Sequence, residues 1–343
     1  MFTERRKNSQ TSKREKQPWP TGKPFKILSL DGGGIRGVYT ASLLLECERQ
    51  LSKGKALTSY FDMFAGTSTG GIIALGLAHG LSMQDIYDFY KEDGKRIFKA
   101  GRLRQYLRCI RQIGLPKLDS KKLARALKNR FGDATLGSSP VRLVIPAFTL
   151  HSTQITVFKT DHHPDFKNDH RAKMWEIACA TSAAPTYFKE HKHKDNKTVF
   201  LDGGIWANNP IMIAVIDALT CYDLEPQQIQ VLSIGTGNPP FELKRNRLFD
   251  GLIAWRKAIE CAMYLSTDNF GAQAKLLLGP EQCLRLEPTG QPAEIKLDDY
   301  DGAFDQLPVR AQNHFRDSKE LLQCFFDSTV AKRERYYSCT IAK

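Results

Sequence analysis

Short apolar runs that end on glycine turns, each followed by a helical stretch, organise most of this 343-residue chain. Phe25-Lys26-Ile27-Leu28-Ser29-Leu30 reads as a buried strand running into Asp31-Gly32-Gly33-Gly34-Ile35-Arg36-Gly37. Val38 to Leu51 follows as a helix, with Leu43, Leu44, Leu45, Cys47 and Leu51 apolar. The pattern repeats at Phe61-Asp62-Met63-Phe64-Ala65, a turn at Gly66-Thr67-Ser68-Thr69-Gly70, and a helix through Ala78. Further strands are predicted at Val141–Phe148, Gln154–Phe158, Thr198–Leu201 and Ile229–Ile234, with helices over about 172–183 and from Pro210 to Leu219. Such alternation predicts an α/β fold, a mainly parallel sheet between helical layers. Sites in such sheets form beyond the carboxyl ends of strands, where the turns after Leu30, Ala65 and Leu201 lie.

Those three turns carry the candidate chemistry. A serine in G-x-S-x-G between strand and helix is held at a sharp corner with its hydroxyl exposed, which marks Ser68 as a candidate nucleophile. The alternative is a Gly/Ser turn closing a βα unit. Three successive glycines at 32–34 let several N–H groups point at one anion, either a phosphate or a transition-state oxyanion. Gly32, Gly34 and Gly37 match G-x-G-x-x-G spacing, yet no Walker lysine follows. A serine needs a base, and Asp202 in Asp202-Gly203-Gly204 is the candidate; an ordinary Asp-Gly turn is the alternative. After Asp202 the chain holds one histidine, His314, in a polar helical stretch, so a Ser-His-Asp arrangement lacks a well-placed histidine.

Charge sharpens the picture. Residues 95–130 hold thirteen Lys or Arg and one acid, Asp119, nearly the whole formal +13 of the chain. One-signed charge implies an anionic partner, and Leu103, Tyr106, Leu107 and Ile110 give the segment an amphipathic helical character. Arg102, Arg104 and Arg108 are its candidate contacts with anionic lipid or with a nucleotide activator. Nucleic acid is the weakest partner class, because RNP and zinc-finger patterns are absent. The chain divides into a disordered basic tail over 1–22, a catalytic domain over 23–240 with a basic helical insertion at about 95–130, and a helical extension over 241–343. No apolar run is long enough to span a bilayer, and the first residues lack a signal core. The eight cysteines are scattered without CxxC pairs, which favours reduced thiols over disulfides or zinc. The acidic cluster Asp298-Asp299-Tyr300-Asp301 lacks the spacing of a calcium loop, and no metal is expected.

In this order, Gly-Gly-Gly-x-Arg-Gly at 32–37, Gly-x-Ser-x-Gly at 66–70, Ala180-Thr181-Ser182-Ala183-Ala184-Pro185 and Asp-Gly-Gly at 202–204 resemble the patatin-like phospholipase family over roughly residues 25–240. The resemblance implies a three-layer α/β/α sandwich and lipid acyl hydrolysis by a Ser–Asp dyad without histidine. It makes Ser68 the nucleophile and Asp202 the base. It gives the oxyanion hole to the backbone at Gly33 and Gly34, helped by Thr69, and makes Arg36 a support of that hole or a contact for the lipid phosphate. Phe25–Arg36, Phe61–Ile72 and Lys275–Gly279 look most like the bacterial branch that serves anti-phage signalling. That branch implies membrane phospholipid as substrate, a cyclic dinucleotide such as cyclic GMP-AMP as activator and no required cofactor. It also implies a cytoplasmic protein peripheral at the inner membrane face, with a homodimer among the assemblies it allows. Two alternatives differ from this: a constitutive lipase or esterase without nucleotide control, and a non-catalytic phosphate-binding α/β module.

Overall fold

A computed structural model describes residues 13–99, 116–150, 154–193, 198–237, 252–290 and 294–337. In chain order the elements that matter here are β1 (Phe25–Leu30), α1 (Gly37–Gln50), β2 (Met63–Gly66), α2 (Thr69–His79), α3 (Ser120–Phe131), β3 (Arg142–Thr149), β4 (Gln154–Lys159), α4 (Met174–Thr181), β5 (His191–Lys192), β6 (Val199–Asp202), α5 (Ile211–Cys221), β7 (Ile229–Ile234), α6 (Leu252–Leu278), β8 (Cys283–Leu286), α7 (Tyr300–Asp317) and α8 (Lys319–Phe326).

Among the described residues the strands form one eight-stranded sheet in the order β5-β6-β3-β2-β1-β7-β8, with β4 also paired to β3. The centre is parallel: β1 lies between β2 and β7, β2 pairs β3, and β7 pairs β8. The β4, β5 and β6 pairings are antiparallel. Period-two alternation sends successive side chains of a strand to opposite faces. Leu28, Leu30, Phe64, Leu143 and Ile145 therefore join one core with α1, α2, α3, α4 and α7. Phe25, Ile27, Met63, Ala65 and Val144 join a second core with α5 and the end of α6. Two cores on one sheet make the three-layer α/β/α sandwich expected from the sequence.

Two boundaries move. Residues 13–22 are not a disordered tail. Gln17 N–H donates to Cys221 O at 2.8 Å, and the Trp19 ring packs 4.8 Å from Phe25 and 5.4 Å from Tyr222. An aromatic packed on the start of a central strand buries enough apolar surface to order a polar segment. Residues 1–12 lie outside the described set. The extension over 241–343 is not purely helical, because β8 adds a parallel strand to the central sheet.

Candidate active site

β1 delivers the chain into the glycine loop. Asp31 N–H donates to Ile234 O at 3.0 Å and Gly32 N–H to Asn208 O at 3.0 Å, which ties the loop to β7 and to the segment after β6. The N–H groups of Gly33 and Gly34 donate to no acceptor among the described residues. Gly34 has φ +57°, a conformation that favours glycine, and a Cβ there would stand 2.5 Å from Leu297 O. A Cβ on Gly33 would stand 2.6 Å from Thr236 Cβ, and the Thr236 hydroxyl donates to Gly32 O at 2.6 Å. Arg36 is 1% exposed beneath this loop, donating to Gly237 O at 3.0 Å and to Gly33 O at 3.5 Å. Its contacts suit support of the loop.

Ser68 sits at the corner between β2 and α2 with φ 53° and ψ −118°. That backbone costs a non-glycine residue about 1–3 kcal/mol and persists where its surroundings over-determine it. They do: Ser68 N–H donates to Thr181 Oγ1 at 3.0 Å, and the Thr181 hydroxyl donates to Pro146 O at 2.6 Å. A Cβ on Gly70 would lie 2.7 Å from Asp31 O, so the corner and the glycine loop stand back to back. Thr69 N–H, at the first turn of α2, also has no acceptor among the described residues.

Asp202 ends β6, antiparallel to β3, and its N–H donates to Ala183 O at 3.0 Å. Burial pushes its carboxyl up to about 7, against the pull of the Gly204 N–H, at 2.6 Å from Oδ1, and of the Ser68 side chain. The strand ends thus bring serine, carboxylate and free N–H groups to one place. They line one end of a cleft of about 640 Å³, whose other walls include Ile72, Phe89, Phe98, Leu123, Phe188 and Met263. None of the seven described histidines lines it. His314 meets the Tyr39 hydroxyl at 2.7 Å, and His162 holds Asp217 at 2.7 Å in a buried cluster that the Lys159 ammonium also joins.

A profile of the patatin-like phospholipase family matches residues 28–215, more than half of the chain. The chain belongs to the patatin-like phospholipase family. Its likeness to curated members is substantial. It is 36% identical over 238 residues to the cGAMP-activated phospholipase of Vibrio cholerae serotype O1, covering 65% of this chain and 67% of that protein. With the protein of the same name from Pseudomonas aeruginosa it shares 39% over 63% of this chain and 64% of the other. Patatin-like protein 2 of Arabidopsis thaliana is 33% identical over 67% of this chain and 64% of that protein. The chain thus spans about two thirds of the length of the curated relatives it matches.

Some site features are invisible in the motifs of this patatin-like chain. Arg285 of β8 grips Asp31 at the root of the glycine loop, Nη2 to Oδ2 at 2.7 Å, and also meets Glu287 at 3.0 Å and Ser233 Oγ at 2.8 Å. Burial pushes the Asp31 carboxyl up to about 6 while the guanidinium pulls it down. The basic segment is partly neutralised by acids from elsewhere: Lys99 pairs Asp301, Lys117 pairs Asp298 at 3.2 Å, and Arg96 and Arg130 share Asp93. The acidic cluster is thereby engaged, with Asp299 capping α7 through Gly302 N–H. Arg102, Arg104 and Arg108 lie outside the described residues.

Proposed function

We propose that this chain is a phospholipid acyl hydrolase in which Ser68 is the nucleophile and Asp202 its general base. The observation that carries the reading is that Ser68 and the buried Asp202 carboxyl line the same apolar cleft, beside unengaged backbone N–H groups. Asp202 takes the serine proton as Oγ attacks the ester carbonyl. The developing oxyanion is met by the N–H groups of Gly33, Gly34 and Thr69. Asp202 then gives its proton to the leaving lysophospholipid alkoxide, and an acyl-serine remains. Water attacks that ester, loses its proton to Asp202, and free fatty acid leaves with Ser68 restored.

A base buried this deeply sets the pH dependence. Only ionised Asp202 can accept the proton, so kcat/KM on a short soluble ester is expected to rise through about pH 7 as its carboxyl ionises. The stability sign is opposite. Between the ordinary 3.8 and about 7 the folded protein holds a proton that the unfolded chain has lost, so this residue lowers stability as pH rises across that window. Asp202→Asn is therefore expected to melt higher than wild type at pH 8, with the gap closing below pH 4. A melting temperature equal to wild type at pH 8 counts against a desolvated carboxylate.

The activator is read from the relatives named cGAMP-activated phospholipase. We place this chain with them as a cyclic-dinucleotide-triggered enzyme that acts at the inner membrane face in antiviral defence, peripherally. Among the described residues no helix is long and apolar enough to cross a membrane. The test is fatty-acid release from phospholipid liposomes, by wild type and Ser68→Ala, with and without a panel of cyclic dinucleotides. Release that rises when one dinucleotide is added, and only in wild type, is expected. Full release without any nucleotide indicates a constitutive lipase. No release above Ser68→Ala under every condition refutes the hydrolase.

A further inference from the structure

Between the helix Met83–Asp88 and the helix Gly94–Phe98 the chain makes a π-helical turn, Phe89–Asp93. Such turns occur mostly as single turns inside helices, frequently at functional sites. This one places the buried Tyr90 hydroxyl on Thr69, the residue after Ser68. The two hydroxyls hydrogen-bond each other, and Tyr90 also donates to the Thr69 carbonyl at 3.1 Å. A phenol has one proton, so with that proton on the carbonyl, Thr69 Oγ1–H donates back to Tyr90. Thr69 is held at its side chain and its backbone by one partner.

The same pair accounts for Gly37, the last glycine of the loop motif. Its φ is −55°, which any residue adopts, so conformation does not require glycine there. Space does: a Cβ on Gly37 would run into Thr69 Oγ1 and stand 3.0 Å from the Tyr90 hydroxyl. Burial keeps the Tyr90 phenol neutral, and so a proton donor, well above its ordinary range.

We propose that Tyr90 is a positioning residue for the oxyanion hole: by clamping Thr69 it aims the Thr69 N–H at the spot that the Gly33 and Gly34 N–H groups also face. The proposal rests on the Ser68–Asp202 reading above. Tyr90→Phe keeps the ring in the cleft wall and removes only the hydroxyl. A misaimed donor, rather than a missing one, is expected to lower kcat about 10–100-fold while KM stays within about twofold. The loss should be the same for a short soluble ester and a long-chain one. Affinity for a trifluoromethyl ketone, which forms a tetrahedral adduct on the serine, should fall by the factor lost in kcat/KM. Thr69→Val should lose activity comparably, Thr69→Ser should recover most of that loss, and the Tyr90→Phe/Thr69→Val double variant should be little worse than either single one.

Wild-type kcat and ketone affinity in folded Tyr90→Phe would overturn the proposal. So would a loss confined to KM for long-chain esters, the mark of a wall that only packs. Should Tyr90→Phe fail to fold, the threonine pair decides, and equal activity in Thr69→Val and Thr69→Ser rejects the clamp. Hydrolysis that persists in Ser68→Ala instead removes the underlying dyad, a separate result.

Discussion

Asp202→Asn and Ser68→Ala are each expected to cut ester hydrolysis by at least ~10³-fold, and the double variant to be no worse than either alone. Neither residue works without the other. The Ser68 hydroxyl is a poor nucleophile until its proton has somewhere to go, and in the proposed dyad the Asp202 carboxylate, which lines the same cleft, is the acceptor. Asparagine keeps the shape and can still accept the Gly204 N–H, at 2.6 Å from Oδ1 in the wild type, so the turn survives while the base is lost. Steady-state rates on one soluble ester, with far-ultraviolet circular dichroism to confirm folding, make the measurement. If Asp202→Asn keeps near-wild-type kcat while one histidine substitution abolishes activity, the dyad is wrong.

Gly33→Ala should lower kcat about 10²–10³-fold, the usual effect of removing one oxyanion donor. At φ 171° the Gly33 backbone is extended, so an alanine is not strained by conformation. The obstacle is Thr236: the new methyl would run into its Oγ1 and stand 2.6 and 2.8 Å from its Cβ and Cγ2. Thr236 also holds Gly32 through its hydroxyl at 2.6 Å, so accommodating the methyl drags the loop and swings the Gly33 and Gly34 N–H groups off target. KM should change little, because the apolar walls that hold the acyl chain belong to other elements. A folded Gly33→Ala enzyme with unchanged kcat would falsify this assignment of the donors.

The strands that end at glycine turns were legible because each is a short, mostly apolar run punctuated by residues with few other uses. β1, β2 and β7 are almost wholly buried, and the few polar residues inside β1 and β7, Lys26, Ser29, Gln230 and Ser233, do not alternate with period two. The serine corner was legible for the same reason: Gly66 and Gly70 are demanded by backbone packed against their Cα atoms. β8 was not. Cys283-Leu284-Arg285-Leu286 is four residues with a charge inside, and only its pairing with β7 makes it a strand. Tyr90 was hidden differently, because the residue it meets is 21 positions away and its π-helical turn has no signature in composition. The one-signed charge of 95–130 suggested an external partner, whereas four of its nine described lysines and arginines, Arg96, Lys99, Lys117 and Arg130, find acids at Asp93, Asp298 and Asp301, two of them more than 160 residues distant in sequence.

The grip of Arg285 on Asp31 bears on how this protein could be divided or recombined. The guanidinium lies outside the stretch, residues 28–215, that carries the family's pattern, yet it answers a carboxylate at the base of the catalytic loop. A fragment ending near residue 240 would strand that buried carboxylate without its cation, a loss of about 3–5 kcal/mol in comparable pairs. It would also bare the outer edge of β7, an apolar parallel strand with nothing to cap its hydrogen bonds. Such a fragment should aggregate rather than serve as a minimal enzyme, and grafting this catalytic core onto another partner domain would have to carry the strand and its arginine along.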